Sequence, residues 1–142
     1  MNKKSKNPFK RIKNSLIARI ARIGNKLDRL KYDKLNSIFD KEFSFTEAVK
    51  FYKNRNDIHM YFHHYYNHRL PKAVKEHREY IEKNKKGFGE PAFHAMWWKL
   101  LLEYKPKNCL EIGVYRGQVV SIWTLISKLV DRNIAVSGIS PF

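Results

Sequence analysis

The chain reads as α/β: a basic, mainly helical segment over residues 1–87, then the first β-α-β unit of a parallel sheet within residues 88–142. Three observations predict this. Two short apolar runs, residues 109–112 and 134–139, flank a stretch with helical spacing at residues 118–130. Glycines bracket the turn between the first run and that helix, at Gly113 and Gly117. Charge is also segregated. Residues 88–142 hold six Lys or Arg against four acids, net +2, so +14 of the formal +16 lies in residues 1–87.

The elements follow in order. At about 100° per residue, Ile12, Leu16, Ile20, Ile23, Leu27 and Leu30 fall on one narrow apolar stripe of a helix, with Arg11, Arg22, Lys26 and Arg29 well away from it. Such a helix packs its stripe against its own domain or a partner chain. The alternatives are an anionic membrane surface, met through residues 10–31 with the stripe among headgroups and the cations on anionic lipid, a cleaved organelle-targeting segment, and nucleic-acid contact. Ser44 or Thr46 can cap the next helix, and Glu47 supplies the reciprocal acid for a capping box opened by Ser44. That helix runs on or restarts through residues 57–68 and stops near Leu70, because Pro71 disfavours helical geometry in the residue before it. Pro71 then suits the first turn of a helix over residues 72–84. Lys85, Lys86, Gly87, Phe88 and Gly89 read as a loop, and the domain boundary is expected there.

Pro91 opens a helix whose positions Phe93, Met96, Trp97, Leu100, Leu101 and Tyr104 make a broad apolar face, expected to be buried. Pro106 ends it. The first strand, the glycine turn, a helix with Val119, Ile122, Trp123, Ile126, Leu129 and Val130, and the second strand complete the chain up to Ser140, Pro141 and Phe142. A strand leading into a glycine-rich turn and a helix is how doubly wound sheets build a ligand site at the carboxyl ends of their strands. Glycine lets a ligand approach the backbone closely, and the first N–H groups of the helix lack partners.

The run Leu110-Glu111-Ile112-Gly113-Val114-Tyr115-Arg116-Gly117-Gln118 resembles motif I of class I S-adenosylmethionine-dependent methyltransferases. With Tyr-Arg before the second glycine, it is most similar to the group of macrolide-sugar O-methyltransferases and cephalosporin hydroxylase-like proteins. Gly89-Glu90-Pro91 and the Trp97-Trp98 helix fit the lead-in helix of such proteins. The resemblance covers residues 108–142 firmly and residues 88–142 loosely. It implies the amino-terminal part of a Rossmann-like methyltransferase fold, incomplete at residue 142, because several more strands and helices would follow. It further implies S-adenosyl-L-methionine as cofactor and methyl transfer to a hydroxyl of a small, sugar-like acceptor. Glu111 would hold the cofactor's amino group, and Gly113, Val114, Tyr115 and Gly117 would supply backbone around its methionine moiety. Ser140 stands where the family has an acid for both ribose hydroxyls. A hydroxyl makes one such bond without the charge, which weakens binding by about 1.5 to 3 kcal/mol. Carboxylate ligands for a divalent metal, and the elements that align the acceptor, would lie beyond the chain end, so no catalytic base is named.

Other patterns point elsewhere. His59, His63, His64 and His68 contain two i, i+4 pairs of the kind that grip a metal. On one helix the pairs diverge by roughly 140°, so a four-ligand site is excluded. Histidines that are solvated or packed among Tyr61, Phe62, Tyr65 and Tyr66 are expected, with a site built on one pair as the alternative. An NAD-type fingerprint is disfavoured because Tyr115 takes the place of its middle glycine. Nucleic acid is disfavoured as well, since interleaved basic and aromatic residues come without a recognised binding motif.

The single cysteine, Cys109, rules out an intrachain disulfide and reads as a buried thiol in a reducing compartment. No run of about eighteen uncharged apolar residues is present to span a bilayer, and Arg19 and Arg22 interrupt what would be the middle of a signal peptide. A cytoplasmic protein is expected, with peripheral membrane contact through the basic helix as the alternative. The unpaired edge of the second strand leaves an oligomer that completes its sheet with another chain as a third option. The rival to the enzyme is therefore a non-enzymatic basic amphipathic module that binds anionic membrane or nucleic acid.

Overall fold

The structure, a computed structural model, describes residues 36–140 and, ahead of them, Leu16, Ile17 and Ile20. These three residues are helical and exposed; Leu16 and Ile20 belong to the expected apolar stripe, whose other members, Ile12, Ile23, Leu27 and Leu30, lie outside the described residues. The chain divides into two compact units, Met1–Lys41 and Glu42–Phe142. The first contains the short helix α1 (Asn36–Phe39). The second runs through α2 (Phe45–Phe51), α3 (Arg55–His68), α4 (Lys72–Lys83), α5 (Pro91–Tyr104), β1 (Asn108–Ile112), α6 (Gln118–Leu129) and β2 (Ala135–Ile139). The loop at residues 85–89, expected as the domain boundary, runs inside this second unit.

Local chemistry sets the helix limits. The expected capping box is complete: Glu47 N–H donates to Ser44 Oγ (3.2 Å), and Ser44 N–H donates to Glu47 Oε2 (2.9 Å). The chain then restarts rather than runs on. Tyr52 leaves helical geometry, and Asn54 caps α3 by accepting from Asn56 N–H at 2.8 Å. Pro71 takes the cap position of α4, one residue earlier than expected. In α5, Pro91 occupies the first turn, and Lys105 closes the helix in the left-handed region at φ 48° before Pro106 blocks continuation.

α5 is the central helix: α2, α3, α4 and α6 all pack on it, and α6 in turn covers the strands. α3 buries Tyr61, Phe62, Tyr65 and Tyr66. The fully buried Tyr61 hydroxyl accepts from Phe43 N–H at 2.8 Å and donates to Phe43 O at 3.3 Å. Around it the Phe43 and Tyr52 rings sit at centroid distances of 5.7 and 5.3 Å, near-perpendicular and stacked respectively. Such aromatic pairs contribute about 0.5 to 1.5 kcal/mol each beyond their buried area.

The face of α5 differs from the expectation. Ala92, Ala95 and Leu101 are buried, but so are His94 and Lys99, whereas Phe93 and Tyr104 are 45% and 62% exposed. Polar partners explain the inversion. Lys99 Nζ lies 2.7 Å from Glu42 Oε1 and 4.4 Å from the centre of the Tyr65 ring, and Tyr104 shares a 3.0 Å hydrogen bond with Thr46 Oγ1. The Lys99 ammonium, by hydrogen bond and charge, holds the Glu42 carboxyl below its ordinary range.

β1 and β2 are parallel and pair from Asn108↔Ala135 to Ile112↔Ile139. The fold is thus mixed α/β with a parallel strand pair joined by a helix. Alternation puts Cys109, Glu111 and Val136 on the more covered side, leaving Leu110, Ile112 and Ile139 exposed at 53%, 80% and 55%. Cys109 is half-buried rather than buried, and that burial raises its thiol above the ordinary value. Among the described residues, no helix is long and apolar enough to cross a membrane.

Candidate functional site

Beyond Ile112 the chain turns sharply, with Gly113 at φ 86°, Arg116 at φ 52° and Gly117 at φ 73°. Left-handed backbone is open to glycine and costs other residues roughly 1 to 2 kcal/mol, which accounts for the glycines at two of the three positions. A Cβ placed at Gly113 or Gly117 would meet nothing within 4 Å, so the turn faces open space at both. The N–H groups of Gly113 and Val114 both donate to Ile139 O, at 2.8 and 3.2 Å, fastening the turn to the carboxyl end of β2. Those two donors are therefore engaged. Among the described residues, the N–H groups of Tyr115, Arg116 and Gly117 donate to no protein acceptor, and no side chain caps α6 at Gly117. A cluster of unpartnered N–H groups is thus left at the start of α6.

Glu111 lies on the covered side of β1, where its Oε2 is buried and has no hydrogen-bond partner. Buried acceptors in this condition are uncommon. Ser140 is exposed and follows directly on Ile139, whose carbonyl holds the turn. The six residues expected at a cofactor site, Glu111, Gly113, Val114, Tyr115, Gly117 and Ser140, thereby gather at one carboxyl edge of the strand pair. Gly138 joins them, although the sequence reading does not single it out. A Cβ there would lie 2.6 Å from Val114 Cγ2 and 3.1 Å from Val120 Cγ2, so its absence lets the turn fold down onto β2. A glycine inside a strand pattern is the available signal for such a close approach.

The loop at residues 85–89 flanks this turn. Gln118, the first residue of α6, reaches across it: a Cβ at Gly87 would sit 1.7 Å from Gln118 Oε1, and one at Gly89 would sit 2.0 Å from Gln118 Nε2. Gln118 Oε1 also accepts from Gly89 N–H at 3.3 Å. Arg116 Nη1 donates to Lys85 O at 2.6 Å, and the Phe88 and Tyr115 rings stack at 5.1 Å, 13° from parallel.

A partly buried chain of polar side chains lies behind the turn. Ser121 Oγ is 2.9 Å from His77 Nε2, and His77 Nδ1 is 3.1 Å from His94 Nε2, linking α6, α4 and α5. Burial, with smaller contributions from His77 and Arg78, pushes the His94 imidazole down to about 4. Burial and then Arg78 lower that of His77. Both rings are neutral near pH 7, so a single N–H···N bond joins them.

Of the four histidines on α3, His59 pairs with Glu90 at 2.9 Å and meets the Phe93 ring edge-on at 6.4 Å. The His64 and His68 rings lie 4.3 Å apart. Among the described residues, no three His, Cys, Asp or Glu side chains group as metal ligands. No family model, curated protein or solved structure matches this chain.

Proposed function

We propose that this chain carries the cofactor-binding unit of a class I, Rossmann-like methyltransferase that uses S-adenosyl-L-methionine, with O-methyl transfer to a small sugar-like acceptor. The observation that carries the reading is a charge-complementary pair of vacant partners at one turn. Glu111 Oε2 is a buried acceptor without a donor, and the N–H groups from Tyr115 to the first turn of α6 are donors without acceptors. An α-amino acid supplies both missing partners at once: its ammonium, directly or through a bridging water, suits Glu111, and its carboxylate suits the helix N-terminus. The methionine end of the cofactor is such a group. The open space at Gly113 and Gly117 leaves room for it beside the backbone.

When bound, the cofactor would supply an electrophilic methyl group on a sulfonium. The residues of this chain hold and orient. Gly138 and Ile139 O fix the height of the turn, Glu111 selects for a cationic amine, and Ser140, next after Ile139, would stand at the ribose position. Calorimetry of the whole chain with S-adenosylhomocysteine tests the reading. Saturable heat that weakens about tenfold in Glu111→Gln is expected, the scale of one charge-assisted hydrogen bond. Absence of heat at millimolar ligand would overturn it.

A further inference from the structure

Phe88 is the most exposed large apolar side chain of the described residues, 87% accessible, yet its backbone is held on both sides. Ahead of it, Lys85 O is gripped by Arg116; behind it, Gly89 N–H is gripped by Gln118. Neither Gly87 nor Gly89 has positive φ; what a Cβ would meet at both is the Gln118 side chain, its flexible end alone at Gly89 and its Cβ as well at Gly87. The strap is thus pinned down by its own sequence, and what it presents is an aromatic ring. One face of Phe88 stacks on Tyr115, itself half exposed, and the Arg116 guanidinium stands 5.2 Å from the Tyr115 ring. Lys85 and Lys86 are exposed beside it, and among the described residues no carboxylate pairs with either lysine or with Arg116.

An exposed apolar ring, stacked on one face and with unneutralised cations around it, suits a ligand that has a flat face and a negative charge. We infer that Phe88 and Tyr115 form the platform for the acceptor, and that the acceptor is a phosphate-bearing sugar. The ring would lay its C–H face on Phe88 and its phosphate would meet Lys85 and Lys86. The sugar rests on the methyl-transfer reading, because that reaction needs a hydroxyl; the platform rests on the geometry alone. Its position at the carboxyl edge of the strands, one residue beyond Val114, places the acceptor beside the turn that holds the cofactor.

The test is calorimetry or NMR titration of the whole chain with glucose 6-phosphate, glucose, inorganic phosphate and uridine monophosphate. S-adenosylhomocysteine is titrated separately. Glucose 6-phosphate should bind at least about tenfold more tightly than glucose or phosphate, and Phe88→Ala should weaken it by about tenfold or more while leaving S-adenosylhomocysteine affinity unchanged. Lys85→Gln with Lys86→Gln should flatten its salt dependence. Phe88 is exposed, so its replacement leaves the fold intact. Glucose 6-phosphate binding that is absent, matched by phosphate alone, or indifferent to Phe88→Ala overturns the inference. So does uridine monophosphate binding that depends on Phe88 when the sugar phosphate does not. If the sugar phosphate binds through Phe88 and S-adenosylhomocysteine does not bind at all, the methyl-transfer reading fails and the platform stands.

Discussion

Acid should weaken this fold through its buried histidines, and the share of the most deeply buried one, His94, follows from where that ring lies. His94 is 1% exposed and is held to about 4, below the ordinary value of 6.5, by burial first and then by His77 and Arg78. A histidine whose folded value is depressed leaves stability intact above the unfolded value. Stability is lost as pH falls, because the unfolded chain takes up the proton first. The loss therefore begins near the ordinary value and levels off near the folded one. Between pH 7 and pH 4.5 it amounts to roughly 2 kcal/mol. The groups facing the ring are His77 and Arg78 from α4, with Glu90 at the start of its own helix; Ser121 on α6 acts through His77. Replacing His94 by Gln keeps a neutral hydrogen-bonding group toward His77 and removes the titration. Urea unfolding followed by tryptophan fluorescence at the two pH values reads the difference. Carboxylates such as Glu42 titrate in both proteins and cancel. Wild type should lose about 2 kcal/mol more than His94→Gln over this interval, and equal losses would refute the argument.

Three further outcomes follow from the packing. Gly87→Ala places a methyl 1.7 Å from Gln118 Oε1 and 2.9 Å from Gln118 Cβ, and should cost about 1 to 3 kcal/mol in urea unfolding. Adding Gln118→Ala, which removes Oε1 and Cδ but keeps Cβ, should restore part of that, and a double variant no better than the single would contradict the account. Gly138→Ala must displace Val114 or Val120 and so lift the turn; S-adenosylhomocysteine affinity should fall about tenfold, and an unchanged affinity would detach the turn from ligand binding. Tyr61→Phe removes the hydroxyl that bonds both the N–H and the carbonyl of Phe43, which at about 0.5 to 1.5 kcal/mol per bond should cost about 1 to 3 kcal/mol; a loss below a few tenths would contradict a stabilising role for the hydroxyl.

The elements could be read from the sequence wherever a local rule sets them. Ser44 and Glu47 meet within one turn, Pro91 and Pro106 bracket α5, and Gly113 and Gly117 mark the turn into α6, so their limits needed only neighbouring residues. What could not be read depends on partners far along the chain. Gln118 accounts for Gly87 and Gly89 from about thirty residues away, and nothing in the pattern Lys-Lys-Gly-Phe-Gly distinguishes that cause from a loop's ordinary need for flexibility. Periodicity likewise places Phe93 and Tyr104 on the apolar face of α5. It cannot foresee that Lys99 is buried because Glu42 and Tyr65 receive its ammonium, or that His94 is buried because His77 and Ser121 continue its hydrogen bonding. Among the site residues, the glycine positions and the edge location of Ser140 follow from strand and turn alone. The unpartnered Glu111 Oε2 and the contribution of Gly138 emerge only in three dimensions.

The account depends most directly on where the amino-acid end of the cofactor goes. Backbone amide shifts recorded by NMR during titration with S-adenosyl-L-methionine measure this, since the responding N–H groups can be assigned one by one. The prediction is that Tyr115, Arg116, Gly117 and Gln118 move together and saturate, with Gly113 and Val114, already bonded to Ile139 O, responding less. Shifts confined to other residues, or none up to millimolar cofactor, would contradict it.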